Sequence, residues 1–71
     1  MKVTQDGKTM ILQKSEYMAT IFDGHSHIER RIFTDENGTR YVRVNGWFVT
    51  IGFLATHGDE VDTWYDGGGR F

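Results

Sequence analysis

Apolar and polar residues alternate through residues 28–53, and this alternation is the strongest pattern in the chain. A period of two predicts β-strands, because successive side chains of a strand point to opposite faces of a sheet. The dipeptide Asn45-Gly46 interrupts the alternation and is typical of a type I′ turn, in which both central residues take positive φ. Residues 35–38 have the composition of a second hairpin loop. The stretch is therefore predicted to form three antiparallel strands.

The predicted register sorts the side chains of these strands onto two faces. It pairs Thr34 with Thr39 across the second loop, which sets Arg30 opposite Arg43. The face predicted to form the core carries Phe33, Val42, Val44, Trp47, Val49, Ile51 and Phe53. The opposite face, named here the cation–aromatic face, carries Arg30, Ile32, Tyr41, Arg43 and Phe48. It mixes cations with large apolar groups, which an ordinary solvated face does not.

Two further segments are predicted to contain short strands. Asp6-Gly7 is a second type I′ signal, so residues 2–5 and 8–13 are expected to form a hairpin. After a polar turn at residues 57–60, residues 61–65 are expected to form a final strand.

The segment from Lys14 to Phe22 is open to two interpretations. Its aromatic and β-branched residues favour sheet, and a strand is the preferred prediction. A short helix over residues 15–22, with Ser15 as its N-cap, is the alternative.

These elements predict a mainly β protein, with five or six short strands in an antiparallel barrel or sandwich. It is SH3-like in size and strand count. The chain of 71 residues is expected to form one domain over residues 1–66, followed by a flexible glycine-rich tail over residues 67–71.

Composition narrows the classes of function. The chain has no cysteine, so neither a disulfide nor a thiolate metal site is possible. It has no apolar run long enough to cross a membrane, and its start turns polar too soon for a signal peptide, so a cytoplasmic location is expected. The net charge is −2, with arginines concentrated in residues 28–54 and acids in residues 55–71. A basic middle beside an acidic end is the main electrostatic feature.

No catalytic motif is present in the sequence. It lacks a nucleophile elbow, a P-loop and a dinucleotide-binding fingerprint. Asp59, Glu60, Asp62 and Asp66 are interpreted as a solvated acidic loop rather than as paired catalytic carboxylates. We therefore expect no enzymatic activity, no cofactor and no small-molecule substrate.

Histidines offer a weaker candidate for chemistry. Residues 23–27, Asp-Gly-His-Ser-His, resemble the Asp-x-His-x-His motif of metal-dependent amidohydrolases, in which the two histidines bind a catalytic metal. The resemblance covers five residues, and that fold needs several times this length, so we interpret it as a chance match. A simpler zinc site could still form from His25, His27, His57 and Asp59 if their turns meet.

Three hypotheses about function remain. The preferred one is a non-enzymatic protein-binding module that uses the cation–aromatic face, either for self-association or for a protein partner. Small accessory or inhibitor proteins of phages and mobile elements, which occlude or bridge a larger partner, are of this kind. The second is binding of single-stranded nucleic acid by the same face, and the third is a small metal-binding protein. Whether the acidic loop masks Arg30 and Arg43 would decide how far that face is available.

Overall fold

The computed structural model of the chain describes residues 1–64, which form six strands and one helix. The elements are β1 (Lys2–Gln5), β2 (Lys8–Ile11), β3 (Gln13–Phe22), β4 (His27–Thr34), β5 (Arg40–Val44), β6 (Trp47–Thr50) and α1 (Ile51–Val61). Strands β1 and β2 form a two-stranded sheet, and the other strands form a four-stranded antiparallel sheet in the order β3-β4-β5-β6. The mainly β prediction is confirmed, but the sheets do not close into a barrel. The expected tail over residues 67–71 lies outside the described residues.

The two asparagine- or aspartate-glycine turns form as predicted. Asn45 and Gly46 have φ values of 51° and 82°, and Asp6 and Gly7 have φ values of 51° and 72°. The β5–β6 register is also the predicted one, with Val44 opposite Trp47 at the turn. Positive φ at both central residues matches the twist of the flanking strands, which is why these signals are dependable.

The predicted register between β4 and β5 is wrong by one residue. Thr34 pairs with Arg40, and Phe33 pairs with Tyr41. The loop takes one residue more than expected because the Asp35 carboxylate accepts from the main-chain N–H groups of Asn37 and Thr39, both at 2.9 Å. A one-residue slip moves every side chain of β4 to the other face.

Strand β3 confirms the preferred prediction for residues 14–22, and the alternative helix does not form. Its pairing with β4 is interrupted by a bulge between Lys14 and Met18. The Ser15 hydroxyl accepts from the main-chain N–H of Ile32, and the Arg31 guanidinium donates to the carbonyl oxygen of Glu16. These bonds replace the ladder bonds that the bulge removes.

Helix α1 replaces two predicted strand segments. The sequence prediction ran a strand through Phe53 and placed another at residues 61–65, of which Tyr65 lies outside the described residues. Instead the Thr50 side chain accepts from the main-chain N–H of Phe53 at 3.1 Å and caps a helix. The helix buries Leu54, Gly58 and Val61, which are spaced along one helical face.

The four-stranded sheet is covered on both faces. Helix α1 covers one of them, in a core cluster of Ile21, Ile32, Val42, Trp47, Val49, Leu54, Val61 and Trp64. The β1–β2 hairpin covers part of the other, in a cluster of Leu12, Phe33 and Phe48 against which Val3, Met10 and Tyr41 pack. Phe33, predicted to share the core face with Val42, therefore lies on the opposite side of the sheet.

The outer edge of β6 is capped by a side chain of the β1–β2 hairpin. The Gln5 amide oxygen accepts from the main-chain N–H of Phe48, and its amide nitrogen donates to the Phe48 carbonyl, both at 2.8 Å. The side chain thus pairs with the edge as a neighbouring strand would. It also fastens the hairpin to the sheet at the point where Phe48 is buried.

The helix approaches the β3–β4 turn at a contact between glycines. A Cβ atom added at Gly58 would overlap the carbonyl oxygen of Asp23 and lie 3.1 Å from the Cα atom of Gly24. A side chain at either glycine would push the helix away from the turn.

Replacing Gln5 with alanine should lower stability by about 1–2 kcal/mol, since it leaves two partly buried main-chain groups of β6 without their partner. Gln13→Ala, at an exposed glutamine of β3, is the matched control and should change stability little. Urea denaturation of both variants measures the effect. Equal midpoints for the two variants would show that the amide cap contributes nothing.

Replacing Gly58 with alanine should destabilise the protein by about 2 kcal/mol or more, because its new methyl group meets main-chain atoms that cannot move aside. Gly52→Ala is the control within the same helix. Nothing lies within 4 Å of a Cβ atom there, so stability should stay equal or rise by up to about 1 kcal/mol. Thermal melting distinguishes the two, and similar effects at both positions would contradict the close contact.

Candidate functional site

The cation–aromatic face does not exist as one exposed surface. Ile32 and Phe48 are 4% and 6% exposed, and they belong to the two core clusters on opposite sides of the sheet. The grouping predicted from the sequence is therefore wrong, because the slip in β4 moved Arg30 and Ile32 to the helix side. Phe48 lies under the β1–β2 hairpin and not on an open face.

Tyr41 and Phe48 do contribute to a small surface pocket. It has a volume of about 190 Å³, and Val49, Thr50 and Phe53 complete its lining. The Arg43 guanidinium carbon lies 5.7 Å from the centre of the Phe48 ring, a distance suited to a cation–π contact. The pocket is shallow and almost wholly apolar, and no charged group lies among its lining residues.

Arg30 and Arg43 line a separate polar cleft of about 180 Å³, which Asp23 and Asp62 also line. The cleft lies where the sheet divides, since within residues 1–64 β4 and β5 pair only at Phe33–Tyr41 and Thr34–Arg40. Among the described residues no arginine nitrogen lies within 4.0 Å of a carboxylate oxygen. The acidic residues share the cleft with the arginines without forming ion pairs to them.

The acidic residues pair with a histidine instead. His25 Nε2 lies 2.7 Å from Asp59 Oδ1 and 3.5 Å from Asp62 Oδ2. Of the predicted metal ligands the structure thus brings together His25 and Asp59, with Asp62 as an addition that the sequence prediction missed. The three side chains are exposed.

The other two histidines lie apart from this group. His27 packs against the Phe22 ring with a centroid separation of 5.3 Å. His57 stacks on the Phe53 ring at 4.3 Å, and its Nδ1 lies 2.8 Å from the Thr56 hydroxyl. The predicted four-ligand zinc site does not assemble.

Asp23 stabilises the turn that contains the histidine motif. Its Oδ1 accepts from the main-chain N–H groups of Ser26 at 2.8 Å and His25 at 2.9 Å. Both bonds favour the ionised form, and together they hold the pKa of the Asp23 carboxyl below its ordinary value. The motif is thus a side-chain-stabilised turn that shapes the tip of the β3–β4 hairpin.

The largest exposed apolar side chains gather on β3, a strand that the sequence prediction did not select as a site. Tyr17 is 79% exposed, Met18 52% and Phe22 39%. Of the described residues, Met1 and Ile11 are the other exposed large apolar side chains. A small protein normally buries such groups, so this concentration on one strand marks a surface.

Strand β3 is also an unpaired edge of the four-stranded sheet. The main-chain N–H of Asp23 bonds to the Ser26 carbonyl, which fixes the alternation of hydrogen bonds along the β3–β4 hairpin. By that alternation the N–H and C=O groups of Met18, Thr20 and Phe22 point away from β4. We name the outer side of residues 18–22 the β3 edge. No described strand lies beside it.

The two edges of the sheet therefore differ. The β6 edge is short, and Gln5 caps its main-chain groups. The β3 edge has the sequence Met-Ala-Thr-Ile-Phe, without a charge or a proline. Charges and prolines are the residues by which proteins commonly block an edge. The sequence alone shows that this run is uncharged. Only the strand order in the structure shows that it lies at an edge of the sheet.

Residues 1–64 form a small mainly β fold with two antiparallel sheets and one helix. No protein-family model, curated protein or solved structure matches the chain. Within the described residues no helix is long and apolar enough to span a membrane.

Asp23 should make stability depend on pH at the acid end. Because its pKa is lowered by folding, its stabilising contribution is complete above the unfolded pKa, near 3.8, and is lost as pH falls through the lower folded pKa. The melting temperature of Asp23→Ala should therefore lie below that of the wild type at pH 5–7, with a difference that shrinks between about pH 4 and pH 2. Glu36→Ala, at an exposed loop carboxylate, controls for the lost charge. A difference for Asp23→Ala that stays constant down to pH 2 would contradict this role.

Proposed function

We propose that the chain is a non-enzymatic protein-binding module and that its binding surface is the β3 edge. The module takes up an extended protein segment as a further strand of the four-stranded sheet. Main-chain hydrogen bonds supply the affinity of such pairing, and pockets or apolar side chains beside the strand supply its specificity. An accessory or inhibitor protein that occludes or bridges a larger partner could act through this mode.

The observation that supports the proposal is the coincidence of an uncapped edge with exposed apolar side chains. Met18 and Phe22 lie on the side of the sheet opposite α1, next to the main-chain groups that point outward. An added strand would satisfy those main-chain groups and also cover the two side chains. The β6 edge differs on both counts, because the Gln5 amide occupies the outward main-chain groups of Phe48 and the side chains of Trp47, Phe48 and Val49 are buried.

Binding of single-stranded nucleic acid is less well supported. The Phe48 ring, a member of the face that was predicted to bind nucleic acid, is buried under the β1–β2 hairpin. Arg30 and Arg43 line a cleft in which Asp23 and Asp62 would repel a phosphate. The protein-binding proposal is the one retained.

Thr20→Pro should strongly weaken partner binding and leave the fold intact. The Thr20 N–H points outward, so a proline at this position removes a donor from the β3 edge without removing a bond to β4. Tagged wild-type and variant proteins are used to capture partners from a lysate of the source organism, with quantification by mass spectrometry. We expect a partner that the wild type enriches about 10-fold or more over Thr20→Pro, as the loss of one or two hydrogen bonds implies.

Thr20→Val is the matched control, because it retains the main-chain N–H and should capture the same partner. The captured protein is then purified and added to the module, and amide hydrogen exchange is followed by NMR. The amides of Met18, Thr20 and Phe22 should become protected. Equal capture by all three proteins, or no added protection at these amides, would refute the β3 edge as the binding surface.

A further inference from the structure

We infer that the segment accepted by the β3 edge is the β3 edge of a second copy of this chain. Two copies pair antiparallel about a two-fold axis at Thr20 and join their sheets into one of eight strands. The inference rests on the proposed function, since it names the partner of the same surface.

The outward main-chain groups determine the register of this pairing. They belong to Met18, Thr20 and Phe22, at every second position. Antiparallel strands bond through residues that exchange both N–H and C=O, and a two-fold axis requires the central residue to face its own copy. With Thr20 opposite Thr20, Met18 faces Phe22 of the other copy at both ends. All three outward positions are then used, with roughly six main-chain hydrogen bonds.

Both faces of the joined strands are complementary in this register. On the side away from α1, Met18 lies beside Phe22 of the other copy twice, and a thioether against an aromatic ring is a favourable contact. On the helix side, the small Ala19 faces the larger Ile21. Since the five residues contain no charged side chain, self-pairing sets no like charges opposite each other.

The ends of the edge restrict the pairing to this register. The bulge between Lys14 and Met18 breaks the regular strand on one side, and the turn at Asp23 ends it on the other. A shift by two residues would leave outward groups of each copy without partners. A foreign strand would be free to pair at several offsets, whereas the second copy fits at one.

The size of the contact sets the expected affinity. Five residues of strand extend about 16 Å. The pair therefore buries less than the roughly 800 Å² per partner of a standard stable interface. A weak, concentration-dependent dimer is expected, with a dissociation constant of the order of 10–1,000 µM.

Cysteine cross-linking tests the register directly, because the chain has no cysteine of its own. In a Thr20→Cys variant the two Cα atoms would lie about 5.5 Å apart across the axis, within the range of a disulfide. In the control Met18→Cys the equivalent atoms would lie about 14 Å apart, too far to bridge. We expect Thr20→Cys to form disulfide dimers about 10-fold or more faster than Met18→Cys under mild oxidant. Equal rates would overturn the register and the inference.

Sedimentation velocity measures the unmodified protein from about 10 µM to 1 mM, a range chosen from the expected affinity. The wild type and Thr20→Val should shift toward dimer as concentration rises, and Thr20→Pro should stay monomeric. A wild type that is monomeric throughout overturns self-pairing. If such a monomer still captures a partner in a manner sensitive to Thr20→Pro, the proposed function stands and this inference alone fails.

Discussion

The fold depends on the need to cover both faces of the β5–β6 hairpin. Val42 and Val49 lie on one side of it and Phe48 on the other, and all three are buried. A single layer would leave one of these faces in water at a cost of roughly 2 kcal/mol for each large apolar side chain. The chain meets this need with α1 on one side and the β1–β2 hairpin on the other. Both covers are attached at β6, since Thr50 caps the helix and Gln5 bonds to Phe48.

This placement of the covers explains why β3 is left open. The hairpin packs on Phe33 and Phe48 near the junction of β4, β5 and β6, and it does not reach Met18 or Phe22. On the other face the helix crosses toward the β3–β4 turn and buries Ile21. Strand β3 is thus anchored on its helix side and bare on its other side and at its edge. Residues 1–64 contain no further element that covers them.

The sequence predicted what local chemistry determines. Asn45-Gly46 and Asp6-Gly7 formed their turns because positive φ at two adjacent residues is a local requirement. The predicted β4–β5 register was wrong because the Asp35 carboxylate bonds to two main-chain N–H groups and lengthens the β4–β5 loop by one residue. That single residue exchanged the faces of Ile32 and Phe33. The same error invalidated the predicted binding face, because that face combined side chains of β4 with side chains of β5 and β6.

The sequence prediction missed the helix and the β3 edge for a different reason. Gly52 and Gly58 weaken the helical signal in the sequence. The signals that favoured a helix were Thr50 as an N-cap and the spacing of Leu54, Gly58 and Val61 on one helical face. Gly58 is required because the helix touches the main chain of Asp23, which no local pattern reveals. The β3 edge is likewise a property of strand order. An uncharged strand such as residues 18–22 is unremarkable in the middle of a sheet and becomes a surface only at its margin.

The difference between the two edges bears on how far association could proceed. A sheet with two open edges can add copies without limit, which leads to fibres. In the four-stranded sheet the opposite edge, β6, is capped at Phe48 by the Gln5 amide, so it is less open to a further copy than the β3 edge. A two-fold contact between β3 edges uses the same surface on both copies and is therefore closed. For the proposed pairing, the cap on the β6 edge and the short, bounded register at the β3 edge together favour a closed dimer over a filament.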